Sequence, residues 1–176
     1  MGKINRCLPV KLIAGLIFND TVAVLKAKDA LRRSFGKIDY ESPLLEFRHT
    51  DYYKEEFGTC LKRQFLSFRK LINPARLDGI KILTNKIEGE LLRDKKRLVN
   101  IDPGYLDQAR LVLATTKDYS HRIYLNRGIY AEVTLVYSDK DKSFAPCSWT
   151  YPDYRSREYA GIFKQIRDIY LCATHA

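Results

Sequence analysis

Short β-branched and aromatic runs alternate with segments of helical spacing along this chain, and each pattern names an element. Residues 9–18, Pro-Val-Lys-Leu-Ile-Ala-Gly-Leu-Ile-Phe, have the composition of a buried central strand, which Asn19-Asp20 ends. Asp20 or Thr21 then caps a helix over 22–35. Leu25, Leu31 and Phe35 fall at roughly helical spacing there, with Val24 and Ala27 beside them and Gly36 as the stop. A short strand follows Pro43 at 44–47. The next segment reads two ways. Leu61, Phe65, Phe68 and Ile72 keep helical spacing, but the turn signal at Gly58 favours a strand over 62–68.

Asn73 caps a clearer helix with Pro74 in its first turn and Leu77, Ile80, Leu83, Ile87 and Leu91 on one apolar face. Lys81, Asn85 and Glu88 form a neighbouring polar stripe, which by itself reads as a solvated face. Beyond it come a strand at 97–102, a turn at Pro103-Gly104 and a strand at 111–115. Two further strands, 122–125 and 129–137, are joined by the hairpin signal Asn126-Arg127-Gly128. A strand at 144–150 precedes a closing helix over 156–170, with Tyr159, Ile162, Phe163, Ile166 and Tyr170 turned inward.

This order is α+β: a ferredoxin-like β-α-β-β-α-β start, extended by an antiparallel strand-rich meander and a C-terminal helix. No repeat, low-complexity tract or linker interrupts it, so residues 1–176 read as one domain, long enough to bury roughly 70% of its unfolded surface. The apolar segment 8–18 contains Lys11 and is too short to span a bilayer, which leaves no membrane expectation. Cys7, Cys60, Cys147 and Cys172 form no CxxC pair and suit a reducing, cytoplasmic setting.

Charge changes the picture. Thirty-one Lys and Arg against 21 Asp and Glu give +10, which favours an anionic partner: a phosphate-bearing small molecule, or RNA. Candidate chemistry gathers between Arg97 and Tyr154. Lys117, His121 and Arg122 place three phosphate-binding groups within six residues, next to the hydroxyls of Thr115 and Thr116. Period-two alternation puts Tyr130, Glu132, Thr134 and Val136 on one strand face and Ala131, Val133, Leu135 and Tyr137 on the other. Glu132 would then orient the imidazole, pair with Arg122 or act as a base; a structural Glu–Arg pair is the plainer alternative. Asp102 ends its strand, as turn architecture or as a cation ligand. Trp149 and Tyr151, with Asp153 and Tyr154, supply rings that would stack on a base or cover the core.

The Walker, dinucleotide-binding, zincin and nucleophile-elbow signatures are missing, and Asn85-Lys86-Ile87-Glu88 only echoes guanine recognition, with Glu in place of Asp. The paired H-x-[ST] motifs of 2H phosphoesterases are missing too, and His49-Thr50-Asp51 is not one. The motif series Lys81, Thr84-Asn85, Glu88, Arg97, Asn100-Ile-Asp-Pro-Gly-Tyr105, Ala114-Thr-Thr-Lys-Asp118, His121-Arg-Ile-Tyr-Leu125, Gly128-Ile-Tyr-Ala-Glu-Val-Thr-Leu135 and Trp149-Thr-Tyr-Pro-Asp-Tyr154 resembles the prokaryotic domain-of-unknown-function family 4416, as does Thr50-Asp51-Tyr52-Tyr53. The resemblance spans nearly the whole chain. Members are sometimes labelled GTP-binding, without a phosphate loop, and the resemblance implies no established activity or cofactor.

The residues support two readings. In the first, the protein binds a nucleotide, RNA or another phosphate-bearing ligand through Lys81, Asn85, Arg97, Asp102, Thr116, Lys117, Arg122, Trp149 and Tyr151. His121 and Glu132 would be the acid/base pair if phosphoester chemistry occurs. In the second, a basic, aromatic surface docks a protein or RNA without catalysis. The first expects Lys117, His121, Arg122 and Glu132 around one concavity, and the second spreads them over a convex face.

Overall fold

The structure is a computed structural model that describes residues 2–47 and 60–174. Strand β1 (Lys11–Phe18) is buried along its whole length, as its apolar run requires of a strand covered on both faces. Asp20 accepts a 2.8 Å hydrogen bond from the Ala23 amide and starts α1 (Thr21–Phe35), which ends at Gly36 in a left-handed conformation (φ 90°). Val24, Ala27 and Leu31 face inward; Leu25, expected beside them, is exposed because Ala23 takes its place on the inner stripe.

Strands β2 (Ile38–Glu41) and β3 (Leu45–Glu46) both pair with β4 (Lys62–Phe68), which resolves the two-sided segment as a strand. The sequence pattern shows only the β3 stretch. Ile-Asp-Tyr-Glu in β2 lacks an apolar run, because Asp39 is needed inside: it receives buried Lys11 and, at 2.6 Å, the Ser67 hydroxyl.

A 3-10 turn (Pro74–Arg76) capped by Asn73 leads into α2 (Leu77–Glu90). Strands β5 (Val99–Leu106), β6 (Arg110–Thr115), β7 (Ile123–Asn126), β8 (Ile129–Ser138) and β9 (Ser143–Pro146) come next, then a 3-10 turn (Pro152–Arg155) and α3 (Arg157–Thr174). The last strand is shorter than the expected 144–150, since the chain leaves the sheet after Pro146.

The described strands make one antiparallel sheet in the order β2-β4-β1-β5-β6-β8-β7, with β3 also on β4 and β9 also on β8. The fold is therefore α+β with an antiparallel sheet and a C-terminal helix. One core joins Leu12, Leu16 and Phe18 to α1 and α2, and a second joins Ile13, Phe65, Leu106 and Leu111 to α3, so helices cover both faces.

Two irregularities shape the part of the sheet made by β6, β8 and β7. Leu111 pairs with Leu135 but Val112 with Val133, so the register skips Thr134. Leu135 consequently enters the α3-side core and shares the face of Glu132, not that of Ala131 and Val133 as simple alternation predicts. The β7–β8 loop has positive φ at Arg127 (52°) and Gly128 (76°), as a two-residue hairpin loop demands. The Arg127 fork holds Asp78 of α2 at 2.8 and 3.2 Å, fixing the hairpin against the start of that helix.

Candidate binding cleft

The expected turn at Pro103-Gly104 does not form. Strand β5 runs straight through it, pairing Pro103 with Ala14 and Gly104 with both Ile13 and Leu113. Gly104 is there for proximity: a Cβ would lie 2.4 Å from the Val112 carbonyl oxygen and 2.8 Å from Leu113 Cδ2. From that point toward its N-terminus β5 stays on β1 and parts from β6, which pairs with it only over Gly104–Leu106.

Parting strands leave edge groups to satisfy, and α2 supplies the partners. Glu88 Oε1 accepts the Ile101 amide at 2.6 Å, and Lys81 Nζ donates to the Ile101 carbonyl at 3.0 Å. By antiparallel alternation Pro103 turns its amide position the same way, and it has no N–H to satisfy. Lys81 and Glu88 are thus buried, not on a solvated stripe; two side chains of α2 stand in for the missing strand.

The split opens a cleft of about 670 Å³. Lys81, Asn85 and Glu88 look in from α2, Asn100 and Asp102 from β5, and Thr115, Thr116 and Lys117 from the end of β6. Arg122 and Glu132 close one side, and Tyr151, Asp153 and Tyr154 another. Arg97 sits beside Glu88 at 3.2 Å and donates to Asn100 Oδ1 at 3.1 Å, while Asn100 donates to Asp102 at 2.9 Å. Asp102, read as a strand end, is mid-strand, surrounded by Asn100, Lys81 (3.9 Å) and Arg63 (3.5 Å). One hydrogen-bond donor and two nearby cations already surround that carboxylate.

Burial raises the Glu88 carboxyl above its ordinary value, against the opposing pull of Lys81, the Ile101 amide and Arg97. A raised pKa means that the folded state holds the proton more tightly, so this group's stabilisation is complete below the unfolded value and lost as pH rises through the folded one. Glu88→Gln keeps an acceptor for the Ile101 amide and cannot ionise. Its melting temperature relative to the parent is therefore expected to rise as pH is raised from about 4 to about 8. A gap independent of pH in calorimetry would contradict this placement.

Arg122 and Glu132 form a buried pair at 2.7 Å, and the same Glu132 oxygen lies 3.0 Å from His121 Nε2. A carboxylate only accepts, so the contact uses an N–H at His121 Nε2. Glu132 accordingly orients two side chains. Lys117, Arg122 and Glu132 border the concavity with Lys81, Asn85, Arg97, Asp102, Thr116 and Tyr151; His121 and Trp149 do not line it and stack on each other behind Glu132.

The sequence pattern misses the cleft's most buried cation. Arg63 of β4 is 1% exposed and reaches across β1, where Gly15 makes room: a Cβ there would lie 2.9 Å from Nη2. The guanidinium bonds the Tyr154 hydroxyl, approaches Asp102 and sits over the Phe65 ring at 4.8 Å, with no hydrogen-bond partner for Nε among the described residues. Burial alone would lower its pKa; Tyr154, Asp102 and Asp153 outweigh that and raise it, so the charge stays. An unexplained glycine in the central strand is the only sequence sign of it.

A family model matches residues 8–170. The chain belongs to the domain of unknown function family DUF4416. No curated protein and no solved structure matches it. The matched span of this DUF4416 chain contains every residue that lines the cleft. The Thr50-Asp51-Tyr52-Tyr53 motif lies outside the described residues. No helix among the described residues is long and apolar enough to cross a membrane.

Proposed function

We propose that this protein binds a phosphate-bearing ligand, of the size of a nucleotide, in the cleft between β5 and β6. One observation carries the reading. Arg63, Lys81, Arg97, Lys117 and Arg122 come from separate parts of the chain and line one concavity. Carboxylates hold Arg97 and Arg122 in place, so those forks are oriented before a ligand arrives. The volume lies within the usual range of small-molecule sites, and the net charge of +10 draws anions toward it. Concavity favours this reading over a docking module with a convex basic face. The same geometry supports binding more than phosphoester chemistry, because His121 stands behind Glu132 and not in the cleft wall. A cytoplasmic location is part of the proposal, resting on four cysteines outside any CxxC pair.

The strand order β2-β4-β1-β5, all antiparallel with α1 and α2 on one face, supports reading the first hundred residues as a ferredoxin-like plait. The later strands then extend the sheet away from the split.

Titration calorimetry with tripolyphosphate and nucleoside triphosphates tests the binding claim. Lys117→Ala, at an exposed position, is expected to weaken binding roughly tenfold. Affinity should also fall with salt. Binding untouched by both Lys117→Ala and salt would place the ligand elsewhere, and no binding by any of these phosphates would sink the proposal.

A further inference from the structure

Beside the cleft, three aromatic rings form a ladder that serves no core. Tyr119 and His121 stack with centroids 6.0 Å apart and planes within 15°, and His121 and Trp149 at 5.3 Å and 13°. Both end rings are open to solvent, Tyr119 at 55% and Trp149 at 41% exposure. Each rung is pinned separately. Trp149 Nε1 donates to the Val133 carbonyl at 2.8 Å, His121 bonds Glu132, and the Arg122 guanidinium sits 4.7 Å from the Tyr119 ring centre. Stacked rings left partly uncovered offer a flat apolar surface to a partner.

The spacing limits what that partner does. A ring inserted between two others needs two contacts of about 3.5 Å, roughly 7 Å in all, and neither gap offers that. A planar group can only extend the ladder at an end. Both ends are exposed, but Arg122 already lies over the Tyr119 ring, and Trp149 carries the larger ring system for a planar group to cover. The ladder and the cleft also share a wall, because one Glu132 oxygen holds both His121 and cleft-lining Arg122. A ring on Trp149 would then lie against the same Glu132-held wall as Arg122.

We propose that the exposed Trp149 side chain is a nucleobase-stacking site, which makes the ligand a nucleotide and not a polyphosphate or sugar phosphate. The inference rests on the phosphate-binding reading of the cleft and names the other half of the ligand. A base can come from a free nucleotide or from an RNA strand, and the two sources separate by experiment.

Trp149 is the only tryptophan in the chain, so its fluorescence reports the site directly. Purine nucleoside triphosphate is expected to quench it and to bind more tightly than tripolyphosphate, which should bind without quenching. Trp149→Leu, followed by calorimetry, should weaken the nucleotide by roughly 5- to 150-fold and leave tripolyphosphate unchanged. Trp149→Phe keeps a ring and should lose less, which guards against a Leu variant that folds poorly. A short single-stranded oligonucleotide that quenches and binds more than tenfold tighter than the mononucleotide would support the site and identify a strand as the source. Equal affinity of nucleotide and tripolyphosphate without quenching would overturn the stacking site and leave the phosphate cleft standing. Quenching by tripolyphosphate as well would also overturn it. Failure of every phosphate compound to bind would remove both.

Discussion

Gly104→Ala is expected to lower stability by about 3 kcal/mol, shifting the melting temperature of a chain this size by roughly 6–12 °C. The new methyl would lie 2.4 Å from a backbone oxygen of β6, where no rotamer change relieves it. Relief requires separating β5 from β6, and only Gly104–Leu106 of β5 pairs with β6. Gly104 also stands where the cleft begins to open, so the surviving folded fraction should bind phosphate ligands more weakly. Gly161→Ala is the control. It lies in α3 with nothing within 4 Å of a Cβ, and alanine there should stabilise the helix by about 0.8–1.0 kcal/mol. Thermal melts of the two variants that match in sign would contradict the strand reading of Pro103-Gly104.

The second large effect belongs to Arg63. Arg63→Ala should cost about 3–5 kcal/mol, the range for removing one partner of a buried pair, because Tyr154 loses its hydroxyl partner and Asp102 one of its two nearby cations. The side chain's volume would also be left as a void among Phe47, Phe65 and Tyr154. A cycle with Gly15 isolates the geometry. Gly15→Ala in the parent drives a methyl to 2.9 Å from the guanidinium, but in the Arg63→Ala background that atom is gone. The double variant should therefore lose less than the sum of the two single costs, by more than about 0.5 kcal/mol in denaturant unfolding. Strict additivity would show that Gly15 does not make room for Arg63.

These two positions also mark what the sequence conveys. The caps at Asp20 and Asn73, the apolar face of α2 and the Asn126-Arg127-Gly128 hairpin are legible because local chemistry decides them. Pro103-Gly104 is not. The pair has turn chemistry in isolation, and only the split sheet explains a missing donor beside a missing side chain. Lys81, Asn85 and Glu88 keep one spacing whether their stripe faces water or a broken strand edge, so the pattern cannot tell the cases apart. Arg63 sits in Lys-Arg-Gln, which looks like a solvent-facing strand start until β1 supplies Gly15 opposite the gap. The density of polar groups between Arg97 and Tyr154 does point to the cleft, because β5, β6 and β8 bring Asp102, Lys117 and Glu132 to the same end of the sheet. Exposure separates the rings: Trp149 and Tyr151 are exposed while Tyr154, three residues beyond Tyr151, is buried against Phe65.

The gap between β5 and β6 is proposed as an anion site. Tungstate, a heavy tetrahedral analogue of phosphate, makes it visible in crystals soaked at low salt. A strong anomalous peak is expected inside the cleft, within hydrogen-bonding reach of Lys117 or Arg122, and it should weaken in Lys117→Ala crystals. Tungstate scattered over surface lysines with the cleft empty would contradict it.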